Sequence, residues 1–315
     1  MRAWRYYSIE IVLVVVLGGA VAYFGYLLYG LFLPSYPLEP FSGQQAYVHI
    51  GTQLNFGDRV SGSEVAVETS EWLINELESR DWAVIKQIYR IDDTRTGSNI
   101  IAQKGNGPQS GPVVILSTHY DTRAVSDLDE DEEQRTQPTP GANAGASGTA
   151  VLLELARVLE VAADEQTVCL VFFDGEENGG LPGWDYAMGS EAFLRRLESD
   201  SPRCASPSAA VYVDMVGAKE ANIASIGPDA PAIVDALRAT AEKIGYGQTF
   251  RGPHVRDEVD ALTRFTDAGI PSVMLADMRY EYRHTTHDTL DKVGPEALQK
   301  VGDVLKAWLE SQSRS

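Results

Sequence analysis

The segment Val113-Val-Ile-Leu-Ser-Thr-His-Tyr-Asp-Thr-Arg123 predicts a buried strand that ends in reactive side chains. Its first five residues, four aliphatic ones and Ser117, follow Gly111-Pro112, which is typical of an interior strand. His119 and Asp121 come two positions apart, so their side chains leave the same face of an extended chain. Open α/β sheets bind ligands at the carboxyl ends of their strands, so we interpret this strand end as part of a functional site.

Composition limits the classes of partner. The chain has 315 residues, long enough for one large domain or two small ones. Its formal charge is 26 − 45 = −19, which argues against nucleic acid and against an anionic membrane surface as partners. The only cysteines are Cys169 and Cys204, too few for a thiolate zinc site; whether they pair is left open.

The N-terminal region predicts a membrane anchor. Ile11–Leu33 contains no charged residue, and at about 1.5 Å per helical residue it would span the roughly 30 Å hydrocarbon core. Arg2 and Arg5 precede it, so the positive-inside rule predicts a cytoplasmic segment 1–10. A Pro-rich tether over residues 34–40 and a domain over 41–315 outside the cytoplasm follow. A cleaved signal peptide is the alternative, although the apolar run is long for one.

Strands and helices alternate through the rest of the chain. This pattern predicts a three-layer α/β/α sandwich with a mostly parallel central sheet. Strands are predicted at residues 82–91, 98–103, 113–117, 167–173, 209–213, 221–226 and 270–275. Helices are predicted at 44–54, from Gly62 to near Arg80, and at 147–159, 190–198, 230–244, 259–267 and 295–311.

Three of the buried strands end in metal-type ligands. His119 and Asp121 follow the first, Glu176 and Glu177 the second, and Asp214 the third, while a late loop contributes His284. Imidazole and carboxylate without thiolate suit Zn²⁺ or a similar divalent ion. Of two adjacent glutamates, one can bind metal while the other acts as a general base, as metal-assisted hydrolysis requires.

These motifs, in this order, resemble the zinc exopeptidases of metallopeptidase family 28, a group that includes secreted aminopeptidases and the related glutaminyl cyclases. The resemblance runs from about Phe56 to the end of the chain. The matching pieces are His119-Tyr-Asp121, Pro140-Gly-Ala-Asn-Ala-Gly-Ala-Ser-Gly148, Phe172-Phe-Asp-Gly-Glu-Glu-Asn178, Gly183-Trp-Asp185 with Gly189-Ser190, Val213-Asp-Met-Val-Gly217, Gly269-Ile-Pro271 and His284-Thr-Thr-His-Asp-Thr289.

The resemblance implies a role for each matching residue. His119 and Asp214 would hold one zinc ion, and Glu177 and His284 a second. Glu176 would be the general base, and Asp121 would orient His119. Trp184 would line the substrate pocket.

Two positions depart from the family. The family's metal-bridging aspartate corresponds here to Ala144, so a two-zinc site lacks the anion that offsets repulsion between the ions. Asn143, His287 or a carboxylate from Asp127–Glu133 are alternative ligands, and the sequence does not select among them. A histidine that supports hydrogen bonds in the cyclases corresponds to Leu262, followed by a retained Phe265.

Three functions follow as hypotheses. The first is a membrane-anchored zinc aminopeptidase that acts on peptide or protein N-termini outside the cytoplasm. The second is a glutaminyl cyclase-like acyltransferase on one zinc. The third is a catalytically impaired binding or scaffold relative, motivated by Ala144.

Overall fold

The computed structural model describes residues 17–19, 23, 40–227, 230–255 and 260–312. Contacts divide the chain into two units, Met1–Pro40 and Phe41–Ser315. Apart from the helical residues 17–19 and 23, the predicted anchor Ile11–Leu33 lies outside the described residues. Within the described residues, no helix is both long enough and apolar enough to cross a bilayer.

The helices of the second unit begin and end close to the predicted positions. Ser42 and Ser63 cap the first two, each side-chain oxygen accepting a backbone N–H three residues ahead. The described helices are α1 (Gly43–Phe56), α2 (Glu64–Glu78), α3 (Ala146–Val158), α4 (Met188–Arg195), α5 (Leu197–Asp200), α6 (Pro231–Lys243), α7 (Asp260–Asp267) and α8 (Pro295–Gln312).

The described strands form one eight-stranded sheet in the order β1-β2-β4-β3-β5-β8-β6-β7. They are β1 (Ala83–Arg90), β2 (Thr96–Lys104), β3 (Val113–His119), β4 (Thr167–Phe173), β5 (Ala209–Val213), β6 (Ala224–Ile226), β7 (His254–Val255) and β8 (Ser272–Ala276). The sequence did not predict β7, and β3 extends two residues further than predicted, to include His119.

The sheet is mixed: among the described strands, four of the seven pairings are parallel and three are antiparallel. The four central strands β4, β3, β5 and β8 run parallel to one another. On one side β1 and β2 are antiparallel additions, and on the other β6 pairs antiparallel with β8. The short edge pair β6–β7 is parallel as well, and the longest parallel run lies at the centre, where both faces of the strands are covered.

Alternate residues of β3 belong to two different cores. Val114 and Leu116 pack with the buried faces of α1, α2, α3, α6 and α8. Val113 and Ile115 pack on the opposite face, with residues from α4, α5 and α7. Because successive strand residues point to opposite faces, this partition establishes the predicted α/β/α layering.

A disulfide joins Cys169 in β4 to Cys204 in the short turn Pro202–Cys204. Both residues are fully buried. The pairing that the sequence left open is thus present in the structure.

Candidate metal centre

The register of the central strands brings the predicted ligands together. His119 lies opposite Phe173 of β4, and Ser117 lies opposite Tyr212 of β5. Carrying the second pairing two residues further sets His119 beside Asp214. Because parallel strands end at the same edge of a sheet, side chains separated by about a hundred residues meet there.

His119, Glu177 and Asp214 form the tightest cluster, with one ligand atom from each lying within 4.8 Å of the others. The Nε2 atom of His119 is 3.2 Å from Asp214 Oδ1 and 3.5 Å from Glu177 Oε1. Among the residues described, this is the group whose donor atoms suit a metal ion. The family resemblance implied one ligand pair of His119 and Asp214 and a second pair of Glu177 and His284. The cluster combines the first pair with Glu177 from the second.

Asp121 supports both His119 and the turn that presents Glu176 and Glu177, here called the glutamate turn. Its Oδ1 lies 3.4 Å from His119 Nδ1, on the ring side opposite the cluster. Its two oxygens accept the backbone N–H groups of Glu176 and Glu177, at 3.2 and 3.1 Å. The backbone carbonyl of Asp121 lies closer still to His119 Nδ1, at 3.1 Å, so Asp121 orients His119 through both groups and fixes both glutamates through its carboxylate.

The turn that presents the glutamates depends on Gly175. Its φ of +73° is in the left-handed region, and a Cβ there would collide with the hydroxyl group of Tyr89. That hydroxyl donates a hydrogen bond to the carbonyl of Asp174 at 2.7 Å. The absence of a side chain thus allows the strand to turn sharply before Glu176.

Glu176 stands beside the cluster and is held separately from it. Its Oε1 accepts the backbone N–H of Ser190 at 2.7 Å, and its Oε2 accepts the Ser190 hydroxyl at 3.1 Å. Burial raises the pKa of Glu176 to about 8, although both of these hydrogen bonds favour the ionised form. A carboxyl group with a pKa near neutrality is suited to transferring protons.

His284 joins the cluster through Glu177. Its Nε2 lies 2.9 Å from Glu177 Oε2, and its Nδ1 lies 3.8 Å from Asp127 Oδ1. His284 has a φ of +56°, a backbone conformation that costs free energy in a non-glycine residue. Met215, directly after Asp214, has the same left-handed conformation, with a φ of +48°. Such backbone strain beside two predicted ligands is typical of functional sites.

The electrostatics of the cluster favour a cation at its centre. Burial opposes protonation of His119, yet the carboxylates of Asp214, Asp121 and Glu177 outweigh it and raise the pKa of His119 well above its usual value. Burial likewise opposes ionisation of Glu177, but the His284 hydrogen bond and nearby positive charges hold its pKa at about 2. One imidazole and two carboxylates are a donor set that zinc accepts, so these residues fit the ion.

Ala144 has no side-chain atom that can bind a metal ion, and its segment is held by backbone contacts. The N–H groups of Asn143 and Ala144 donate to the carboxylate of Asp288 at 2.8 and 3.1 Å. The fully buried Arg59 donates to the carbonyls of Pro140 and Gly141, at 3.2 and 2.8 Å. Gly148, at the start of α3, allows that helix to approach the carbonyl of Val213 closely.

The alternative ligands considered for the Ala144 position are engaged elsewhere. The Oδ1 atom of Asn143 accepts the Gly217 N–H at 2.7 Å. His287 is exposed. Asp127 forms a two-bond ion pair with Arg123, at 2.6 and 2.7 Å, and Asp129 accepts hydrogen bonds from Thr286. None of these side chains joins the His119 cluster among the residues described.

Trp184, predicted to line the substrate pocket, is half-buried against Arg95, whose guanidinium carbon lies 4.1 Å from the ring centroid. The cleft above the cluster measures about 300 Å³ and is bordered by Tyr186 rather than Trp184.

Leu262, at the position of the cyclase histidine, is buried in the apolar core with Phe265.

Sequence reasoning missed two residues that support the site. Ser190 belongs to a quoted motif, but its position as the first residue of a predicted helix gave no sign that it would hold Glu176. Arg123 donates to the carbonyl of Glu177 at 2.7 Å and also to Asp127. It thus links the turn that presents the glutamates to the acidic segment Asp127–Glu133. The position of Arg123, four residues before Asp127, indicated an ion pair between the two. It did not indicate the contact of Arg123 with the Glu177 carbonyl.

A family model described as peptidase family M28 matches residues 99–309. The chain is 29% identical over 227 residues to aminopeptidase YwaD of Bacillus subtilis, covering 68% of this chain and 44% of that protein. The chain therefore spans less than half the length of this curated relative.

Two solved structures are similar over their whole length. Glutaminyl cyclase of Porphyromonas gingivalis superposes with a TM-score of 0.75 at 29% identity, covering 86% of this chain and 99% of that one. A leucine aminopeptidase precursor from Bacteroides thetaiotaomicron superposes with a TM-score of 0.75 at 26% identity, covering 86% and 97%.

Proposed function

Since this chain belongs to peptidase family M28, we propose that it is a zinc-dependent exopeptidase that removes N-terminal residues from peptides. The observation that carries the proposal is the convergence of His119, Glu177 and Asp214, with the carboxyl group of Glu176 held beside them. Metal ligands and a separately fixed carboxylate are the two components that metal-assisted hydrolysis needs.

His119, Glu177 and Asp214 would hold the zinc ion, and His284 would support it through Glu177. When bound, zinc supplies a Lewis acid that polarises the scissile carbonyl. Asp121 keeps the Nε2 atom of His119 turned towards the ligand cluster. Glu176 takes a proton from the attacking water and delivers it to the leaving amine. Ser190 holds the glutamate in place for both transfers.

The ligand geometry supports one ion rather than two. Three donors that meet within 4.8 Å are the usual protein contribution to a single catalytic zinc. A second ion would need a bridging anion, and Ala144 has none to offer.

We further propose that the domain acts outside the cytoplasm on a membrane anchor formed by Ile11–Leu33. The uncharged run preceded by Arg2 and Arg5 supports the anchor and its orientation. The Cys169–Cys204 disulfide supports an oxidising compartment, because disulfides persist there and are rare in the cytosol. The substrate would then be an extracytoplasmic peptide or protein N-terminus.

Glutaminyl cyclase activity is the second candidate, because the chain covers 99% of the Porphyromonas gingivalis cyclase. The same Glu176 would then carry a proton from the α-amine while zinc polarises the γ-amide. Against it, Leu262 places an apolar side chain where the cyclases have a supporting histidine.

One experiment separates the candidates. The purified full chain is analysed for zinc by elemental analysis and incubated with a tripeptide that begins with glutamine. We expect about one zinc per chain and release of free glutamine. A blocked N-terminus with ammonia would indicate the cyclase instead. A chain that holds no zinc and alters no peptide would support the binding or scaffold hypothesis and refute both enzymes.

A further inference from the structure

The cleft above the ligand cluster contains two arginines that differ in their contacts. Arg123 is fully engaged, with Asp127 and the Glu177 carbonyl as its acceptors. Arg283 borders the same cleft and is half-buried, yet it forms no hydrogen bond or ion pair with any residue in the described part of the chain. Its guanidinium donors are therefore available to a bound molecule.

Arg283 lies close to the reaction centre. It directly precedes His284, and its positive charge is among those that stabilise the Glu177 carboxylate. The lining of the cleft also includes the apolar residues Met215, Ala261, Met274 and Met278. A half-buried guanidinium group in a cleft with such residues is partly shielded from water, which strengthens its attraction to an anion. Its planar fork matches the two oxygens of a carboxylate.

We propose that Arg283 binds a carboxylate of the substrate close to the scissile bond. The proposal rests on the peptidase function proposed above and specifies the substrate class. Two kinds of peptide provide such a group: a short peptide, through its C-terminal carboxylate, and a longer peptide with an acidic side chain next to the cleaved bond.

An alternative role for Arg283 is purely electrostatic, acting on Glu177 and through it on the metal. The two roles predict different outcomes. Loss of an electrostatic effect changes zinc content and turnover for every substrate. Loss of a carboxylate contact raises KM only for substrates that carry the carboxylate.

The test uses four tripeptides with the same N-terminal residue. The first has a free C-terminal carboxylate and the second is its amide, while the third and fourth are amidated and carry aspartate or asparagine at the second position. The full chain is compared with Arg283→Gln, with Arg283→Lys and with Arg279→Gln. Arg279 is a matched control that pairs with Asp277 outside the cleft.

We expect the unaltered protein to favour a carboxylate by about 10- to 100-fold in KM, the range of a charge-assisted hydrogen bond. The peptide pair that shows the preference identifies the source, C-terminal or side-chain. Arg283→Gln should abolish the preference with unchanged zinc content, Arg283→Lys should retain part of it, and Arg279→Gln all of it. The proposal is overturned if the unaltered protein has no preference, or if Arg283→Gln slows all four peptides equally.

Calorimetric titration of the zinc-depleted chain with the same peptides keeps this test independent of turnover. Weaker binding of the carboxylate peptides to Arg283→Gln supports the contact even when no peptide is cleaved, in which case only the peptidase proposal fails. Equal binding of all four peptides to both proteins overturns the contact even when hydrolysis is observed.

Discussion

A metal site normally combines ligand side chains with a backbone framework that positions them. In this protein the two differ between the cluster of His119, Glu177 and Asp214 and the segment Pro140–Gly148. The cluster retains ligand side chains that meet within 4.8 Å. The segment has the backbone framework, held by Arg59 and Asp288. At the position where the family has a metal-bridging aspartate, it has Ala144. Backbone geometry can therefore persist where ligand chemistry is lost, because carbonyl and amide contacts do not depend on the side chain at that position.

The largest expected effect concerns the cluster. Glu176→Gln should lower kcat/KM for peptide hydrolysis by about 10²–10⁴-fold, the usual contribution of a general base, with zinc content unchanged. Steady-state kinetics and elemental analysis measure both quantities. Glu191→Gln, which alters a half-buried glutamate of α4 that pairs with Arg195 and does not line the cleft, is the matched control. If Glu176→Gln retained full activity, Glu176 would not be the base.

The segment is tested by Ala144→Asp. If its backbone framework is intact, the new carboxylate should raise zinc content from about one to about two ions per chain, because a bridging anion offsets repulsion between the ions. Elemental analysis after dialysis measures the ratio. Ala144→Asn is the control, since it adds similar volume without charge. No additional zinc in Ala144→Asp would mean that the segment is no longer positioned for a metal.

The support behind the cluster should respond to pH. Burial and the charge of Asp121 raise the pKa of Asp174 from 3.8 to about 7, and its carboxyl group contacts Ser61, which in turn contacts Asp121. The folded chain therefore keeps a proton that the unfolded chain releases, so the free energy of unfolding should fall as pH rises from about 4 to 7. Asp174→Asn, which mimics the neutral form, should flatten this fall by about 1–4 kcal/mol.

Denaturant unfolding of the zinc-free chain at several pH values measures that slope. Glu176 and Asp288 also have raised pKa values, of about 8 and about 6, so part of the slope should persist in the variant. A slope as steep in Asp174→Asn as in the unaltered chain would contradict the role given to Asp174.

The smallest effect is expected at Trp184. Removing its stacking with Arg95 by Trp184→Ala should cost about 0.5–1 kcal/mol of stability, as a cation–π contact near the surface does, with KM changed less than about twofold. Thermal unfolding and peptide kinetics measure both. A much larger rise in KM would support the substrate-pocket role that the family resemblance implied.

Strand and helix positions were predictable because their signals are local. The run Thr167–Phe173 is apolar after its first residue, and the structure has β4 at those residues, all of them buried. Strand direction was not predictable in the same way, since an antiparallel strand such as β2 can contain the same residue types as a parallel one. The mixed sheet therefore became apparent only once the strands were paired.

By itself, the sequence determined the residue types of the site and their order at strand ends, because hydrophobic runs and polar breaks are written locally. It also determined the absence of a carboxylate at Ala144. Only the tertiary structure decided which ligands meet in one cluster and that Cys169 pairs with Cys204. It also decided that Ser190 holds Glu176 and that Arg283 has no hydrogen-bond or ion-pair partner among the described residues. The physical reason is that these relations depend on strand register and on packing across the sheet, which join residues far apart in the chain.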